Sequence, residues 1–113
     1  MSDQQERRQV AVVYTRTERS RDEAVLAVNG PLTDEAAEDF KLQLEGLIAG
    51  RWPIVSLDLS LVKGISSQCL GKIVLLKMRL EERGRTFRIR GCDPGLYEQF
   101  RKISYDRIID IVP

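Results

Sequence analysis

Apolar and polar positions recur along this chain with two periods, and the switches between them mark its elements. Four segments alternate at every second residue or are dense in β-branched residues: Gln9–Thr15 (QVAVVYT), Glu23–Asn29 (EAVLAVN), Pro53–Ser60 (PIVSLDLS) and Thr86–Gly91 (TFRIRG). That spacing predicts strands. In the third, Val55, Leu57 and Leu59 share one side while Ile54, Ser56 and Asp58 share the other. In the fourth, Phe87 and Ile89 oppose Arg88 and Arg90. Strands buried on both faces read as unbroken apolar runs, so this alternation predicts a sheet covered mainly on one side.

Between the strands the period lengthens to that of a helix. From Asp34 to about Ala49, the residues Ala36, Ala37, Phe40, Leu44, Leu47 and Ile48 fall on one face. Thr33 is the expected N-cap, Asp34, Glu35, Glu38 and Asp39 suit the positive end of the dipole, and Gly50 is the expected stop. A second helix is predicted to begin just after Ser66 and Ser67, with Cys69, Leu70, Ile73, Val74, Leu76 and Leu80 as its buried stripe. Leu75 falls outside that stripe and Met78 at its margin. Asp93 and Pro94 open a third helix as cap and first residue, with Leu96, Tyr97, Phe100 and Ile103 as its apolar positions.

Arg16–Asp22 reads as a charged turn joining antiparallel neighbours, the first eight residues as a loose polar segment, and Ile108, Ile109, Ile111 and Val112 as a closing apolar piece. The order is β-β-α-β-α-β-α-β. It predicts a small α/β domain over residues 9–113, with a mixed four- to five-stranded sheet and helices mainly on one face. Parallel strands joined by helices would gather three turns at one sheet edge: Gly30–Thr33, Leu61–Ser67 and Gly91–Gly95.

Composition changes this picture little. At 113 residues the chain makes one domain, and eighteen basic against seventeen acidic residues give a net charge of +1. That balance calls for neither nucleic acid nor an anionic membrane as partner. No apolar run reaches the roughly 20 residues that cross a bilayer. MSDQQERRQ has no secretory apolar segment, and Cys69 and Cys92 read as free, small, buried thiols of a cytoplasmic protein. Cys69 would sit in the first turn of a helix, where the dipole favours a thiolate.

The chemistry concentrates around the serine pair. A loop that restarts as a helix leaves several backbone N–H groups free and aims the positive dipole end outward, a setting receptive to a phosphoryl group. A serine there either caps the helix or acts as a switch. The complete absence of histidine removes the commonest general base and metal ligand, and Asp58 is the only carboxylate close in sequence. The expectation is no enzyme, no metal and no cofactor; no Gly-rich phosphate loop is present. Lys72, Lys77, Arg79, Arg83, Arg85, Arg88 and Arg90, against only Glu81 and Glu82, form a basic stretch that reads as a solvated face, the alternative being a strip that steers an acidic partner surface.

These residues resemble the STAS domain, the sulfate-transporter and anti-sigma-factor-antagonist fold. The resemblance lies in Leu57-Asp58-Leu59, the loop Ile65-Ser66-Ser67-Gln68-Cys69-Leu70-Gly71, the turn Glu82-Arg83-Gly84-Arg85, the stretch from Arg107 to Val112, and Gly30-Pro31-Leu32-Thr33 before the first helix. It covers residue 9 to the end, with no room for a transporter. It implies a bacterial regulator that binds an anti-sigma factor, itself a serine kinase, and loses that partner when a loop hydroxyl is phosphorylated. Aligned on Leu70-Gly71, Ser66 stands where the family has Asp, Ser67 at the first hydroxyl position, Gln68 at the commonest acceptor position and Cys69 at the usual Gly. Thr33 likewise replaces a frequent Asp. Ser67, then Ser66, are the phosphorylation candidates, and Thr33, Ser66, Ser67, Gln68, Gly71, Lys72 and Leu75 the expected partner contacts. The alternative is a non-switching scaffold or oligomerising module, a homodimer at its simplest, in a signalling assembly; Gln68 favours it.

Overall fold

The computed structural model describes residues 11–112. Its strands are β1 (Val13–Glu18), β2 (Glu23–Asn29), β3 (Ile54–Leu61), β4 (Thr86–Cys92) and β5 (Ile111–Val112). Its helices are α1 (Ala37–Ala49), α2 (Ser67–Glu81) and α3 (Pro94–Lys102), with single 3-10 turns at Asp34–Ala36 and Tyr105–Arg107. The strands form one five-stranded sheet in chain order, β1 antiparallel to β2 and the rest parallel. Element order, mixed sheet and fold class are those the periodicity predicts.

Register turns the alternation into a core. Leu26, Leu57, Ile89 and Ile111 stand abreast on neighbouring strands, and the first three are sealed from solvent. Phe40, Leu44 and Leu47 of α1, Ile73, Leu76 and Leu80 of α2, and Leu96 and Phe100 of α3 are buried with them. Burying each such side chain is worth about 1.5–3 kcal/mol, which is why the helices lie on this face.

The opposite face of the sheet carries Thr15, Thr17, Val25, Ala27, Asp58, Arg88 and Arg90, all wholly or partly exposed. Two polar groups there are nevertheless buried. Ser56 Oγ donates to Glu23 Oε2 at 2.7 Å, and Arg90 and Arg88 approach the same carboxylate oxygen at 3.3 and 3.6 Å. Burial by itself would raise the Glu23 pKa, but the Ser56 bond and the arginines outweigh it and hold the carboxyl below its usual value.

Several boundaries differ from expectation for identifiable reasons. The first strand begins at Val13 and takes in Arg16, Thr17 and Glu18, which the sequence assigns to a turn. Edge position lets those polar side chains stay in solvent, and two of them find partners: Arg16 lies over the Trp52 ring at 5.7 Å, while Trp52 Nε1 donates to Glu18 at 2.6 Å. Only Arg19–Asp22 remains as the turn. Residues 1–10, including the expected loose segment and positions 9 and 10 of the expected strand, lie outside the described residues. The first helix enters through the 3-10 turn, and Thr33 makes no side-chain cap bond; its carbonyl instead accepts from Ala36 N at 3.1 Å. Gly50 does end α1, and a Cβ there would run into the Trp52 ring. Ile103 and Ile108 are exposed, not packed, because α3 stops at Lys102 and Ser104 turns the chain through a left-handed conformation (φ 60°).

The basic stretch does not form one face. Lys77 pairs with Glu81 at 2.9 Å, Arg88 and Arg90 lie on the open side of the sheet, and Arg85 turns inward. Arg85 donates to the backbone carbonyls of Trp52, Ile48 and Leu47 at 2.8, 2.9 and 3.0 Å, bracing the end of α1 and the start of β3.

Candidate functional site

The end of β3 sets the site. Its pairing with both neighbours loses register around Asp58, where the Asp58 carboxylate accepts from Ser60 N at 3.0 Å and Ser60 Oγ at 2.6 Å. Gly91 faces this bracket with φ +84°, and a Cβ on it would come within 2.7 Å of Ser60 Oγ. Asp58 is therefore held by its own strand end and supplies geometry. An acid two residues before a serine at a strand end is a local signal that reading for a general base passes over.

Beyond the bracket the three predicted turns are fastened together. Gly30 N donates to the Leu61 carbonyl at 3.3 Å, Leu32 N to Gly64 at 3.1 Å, and Ser66 N to Leu32 at 2.8 Å. Leu32 and Ile65 make a short parallel bridge, with Leu32 fully buried as its plug. The third turn joins through Asp93, whose N–H donates to the Leu59 carbonyl at 3.4 Å and whose carboxylate meets Lys63 Nζ at 2.9 Å. Asp93 also caps α3 through Leu96 N at 3.2 Å. The Lys63 and Leu96 bonds lower its pKa.

At the entrance of α2 the two serines divide their duties. Ser66 is partly buried, and its Oγ accepts from Cys69 N at 3.2 Å, which is N-cap geometry. Ser67 is the first helical residue and is exposed, as are Gln68 and Gly71. Thr33 stands exposed on the adjoining turn. A shallow depression between the turns is lined by Pro31–Glu35 and Gly64–Ser66. Leu75 and Met78, about two and three turns past Ser67 along α2, are 46% and 51% exposed, enough to offer apolar surface to a partner. Lys72 is half-buried between them and the loop.

The first turn of α2 is held from behind. Tyr105, packed on Phe100 at 5.0 Å between ring centres, donates its hydroxyl to the Leu70 carbonyl at 2.8 Å. Cys69 is buried with its Sγ 3.6 Å from the Thr33 carbonyl. Burial raises its pKa in spite of the Ser66 bond and Lys72, so the helix end does not yield a thiolate there. Burial, with Asp93 beside it, pushes Cys92 up to about 11. Neither thiol is in a disulfide. Tyr105 and Ser60 are the site residues that the sequence alone does not single out; Asp58 stands out there only as the nearest carboxylate and not as half of the strand-end bracket. Among the described residues no group of three or more His, Cys, Asp or Glu is placed to hold a metal ion, and no helix is long and apolar enough to cross a membrane.

A family model described as "Mlab, STAS domain" matches residues 15–113, nearly the whole chain. The chain belongs to the STAS family. Solved structures share the fold of this STAS domain at low sequence identity. An anti-sigma factor antagonist from Mycobacterium paratuberculosis superposes with a TM-score of 0.80 at 17% identity, covering 91% of this chain and 86% of that one. The protein TM1081 from Thermotoga maritima gives 0.79 at 24%, covering 88% and 86%. The anti-sigma factor antagonist SpoIIAA gives 0.73 at 14%, covering 89% of both chains, in its unphosphorylated form. Its phosphorylated form, from Bacillus, gives 0.67 at 14%, covering 89% and 92%. No curated protein matches the chain in sequence.

Proposed function

We propose that this STAS domain is an anti-sigma-factor antagonist that binds an anti-sigma factor and so regulates sigma-factor-dependent transcription. The observation that carries the reading is the single surface made by Thr33 on the turn before α1 and by Ser67, Gln68, Gly71, Lys72 and Leu75 on α2, whose entrance is hydrogen-bonded to that turn. Every one of these residues is at least partly accessible, and the backbone beneath them is tied by the Leu32–Ser66 and Leu32–Gly64 bonds. A rigid, solvent-facing patch with an apolar edge suits recognition of another polypeptide, because little ordering entropy is lost on docking. Catalysis is not part of the reading: the side-chain bond of Ser66 is the helix cap to Cys69 N, and among the described residues neither serine hydroxyl is hydrogen-bonded to a carboxylate. On this reading the protein works in the cytoplasm.

Ser67 is the phosphoryl acceptor we favour. Its hydroxyl is exposed at the first helical position, whereas Ser66 is engaged as the cap. A phosphate adds about −1.5 to −2 charges to a surface that would otherwise be covered by the partner, and burying such charge unpaired costs several kcal/mol. That cost would release the anti-sigma factor. Two solved forms of SpoIIAA, unphosphorylated and phosphorylated, fit a switch of this kind in a protein of the same fold.

Gln68 supports a second reading. It is exposed at the position where the family resemblance puts the usual acceptor, and an amide cannot carry a phosphoryl group. A STAS module that docks without switching would act as a scaffold in a signalling assembly. Intact-mass analysis after incubation with the cognate anti-sigma kinase and ATP separates the two. One phosphate that survives Ser66→Ala and vanishes in Ser67→Ala is the switch; no phosphate on the wild-type chain is the scaffold.

A further inference from the structure

Helices α1 and α2 pack side by side on the sheet, but outside their contact line they leave a groove of about 130 Å³. Its walls are apolar, formed by Leu44 and Ile48 of α1 and by Leu75 of α2. Its rim carries Lys41 and Glu45 on the α1 side and two cations, Lys72 and Arg79, on the α2 side. Lys41 is shared at 3.9 and 4.0 Å with Glu38 and Glu45 of its own helix. Among the described residues, Lys72 and Arg79 form neither an ion pair nor a side-chain hydrogen bond, although Lys77 on the same helix pairs closely with Glu81.

The size and the charge together define an occupant. An apolar cavity of about 150 Å³ holds a benzene ring, so a groove of this volume accommodates one large apolar side chain. Lys72, three residues before Leu75, and Arg79, four after it, would receive carboxylates that flank such a side chain on a partner helix or strand. Complementary charge of this kind steers encounter and fixes orientation.

We propose that the α1–α2 groove seats one large apolar side chain of an acidic segment in the partner protein, with flanking carboxylates on Lys72 and Arg79. The inference rests on the docking surface proposed above and adds to it the chemistry of the partner. It predicts a recognition element quite unlike a basic or purely apolar peptide.

The test uses the full chain, labelled with ¹⁵N, and a synthetic amphipathic helical peptide with leucines on one face and glutamates flanking them. Saturable shifts are expected at Leu44, Ile48 and Leu75, weakened about tenfold or more by Lys72→Glu with Arg79→Glu and by high salt. Lys72→Ala with Arg79→Ala, which adds no repulsion, should weaken it less but in the same direction. Shifts absent or scattered over the surface would overturn the proposal, as would equal binding of the same peptide with lysines for glutamates. Arg21→Glu, exposed in the β1–β2 turn at the other end of the sheet, is the control and should leave peptide binding within about twofold. If the anti-sigma factor still binds in a Ser67-dependent way while the peptide does not, the groove alone is lost. If the peptide binds and no anti-sigma factor does, the groove stands and the partner assignment fails.

Discussion

Ser66 donates its backbone N–H to the Leu32 carbonyl at 2.8 Å, joining the turn before α1 to the turn before α2. This bond gives two sequence-distant turns one shared surface. It also fixes the angle at which α2 leaves the loop, so the Ser66 hydroxyl faces inward to the Cys69 N–H and Ser67 faces out.

The division of labour predicts opposite outcomes for the two serines. Ser66→Ala removes the cap of α2 and should cost about 1 kcal/mol in urea unfolding. Ser67→Ala touches nothing buried and should stay within about 0.5 kcal/mol of wild type. Equal losses, or a larger loss at Ser67, would contradict the assignment of the cap.

Arg85 carries a heavier structural role than its neighbours in the basic stretch. Replacing it with Met keeps its length but leaves the carbonyls of Leu47, Ile48 and Trp52 without their donor. The expected loss is about 2–3 kcal/mol in chemical denaturation, against less than about 0.5 kcal/mol for exposed Arg83→Ala. Similar values for the two would mean that the bracing contributes little.

Glu23 makes stability depend on acid. Its folded pKa is lower than its unfolded value, so the folded state binds the proton less well. The stabilisation is complete above the ordinary carboxylate pKa and is lost as pH falls through the depressed folded value. Glu23→Gln should remove part of the acid-limb slope in a series of unfolding curves taken from neutral to low pH. An unchanged slope would place the acid sensitivity elsewhere.

What could be foreseen in the chain divides along sequence distance. The strands and helices were legible because alternation and the 3–4 residue period are local, and so was the Asp93-Pro94 opening of α3, which needs only a neighbouring N–H. The exposure of Leu75 followed from helical rotation alone. Arg85 was not legible, because its acceptors lie 33 to 38 residues away and a surface arginine has the same local pattern. Glu23 and Ser56 are likewise 33 residues apart. Thr33 misled in the other direction: it has a cap residue's identity, but its turn is held by backbone bonds from Leu32, and the helix enters through a 3-10 turn. At the site, the accessible serine was legible, and the Asp58–Ser60 bracket beneath it, although local, is passed over when Asp58 is weighed only as a base.

The central claim is that the paired turns and the outer side of α2 receive an anti-sigma factor. Calorimetric titration of the anti-sigma factor from the same genome tests it most directly, with wild type, Ser67→Asp, Leu75→Asp and the distant control Arg21→Glu in the β1–β2 turn. Both site variants should keep wild-type unfolding curves and bind about tenfold or more weakly, while the control binds as wild type does. Undiminished binding by folded Ser67→Asp and Leu75→Asp would contradict the account.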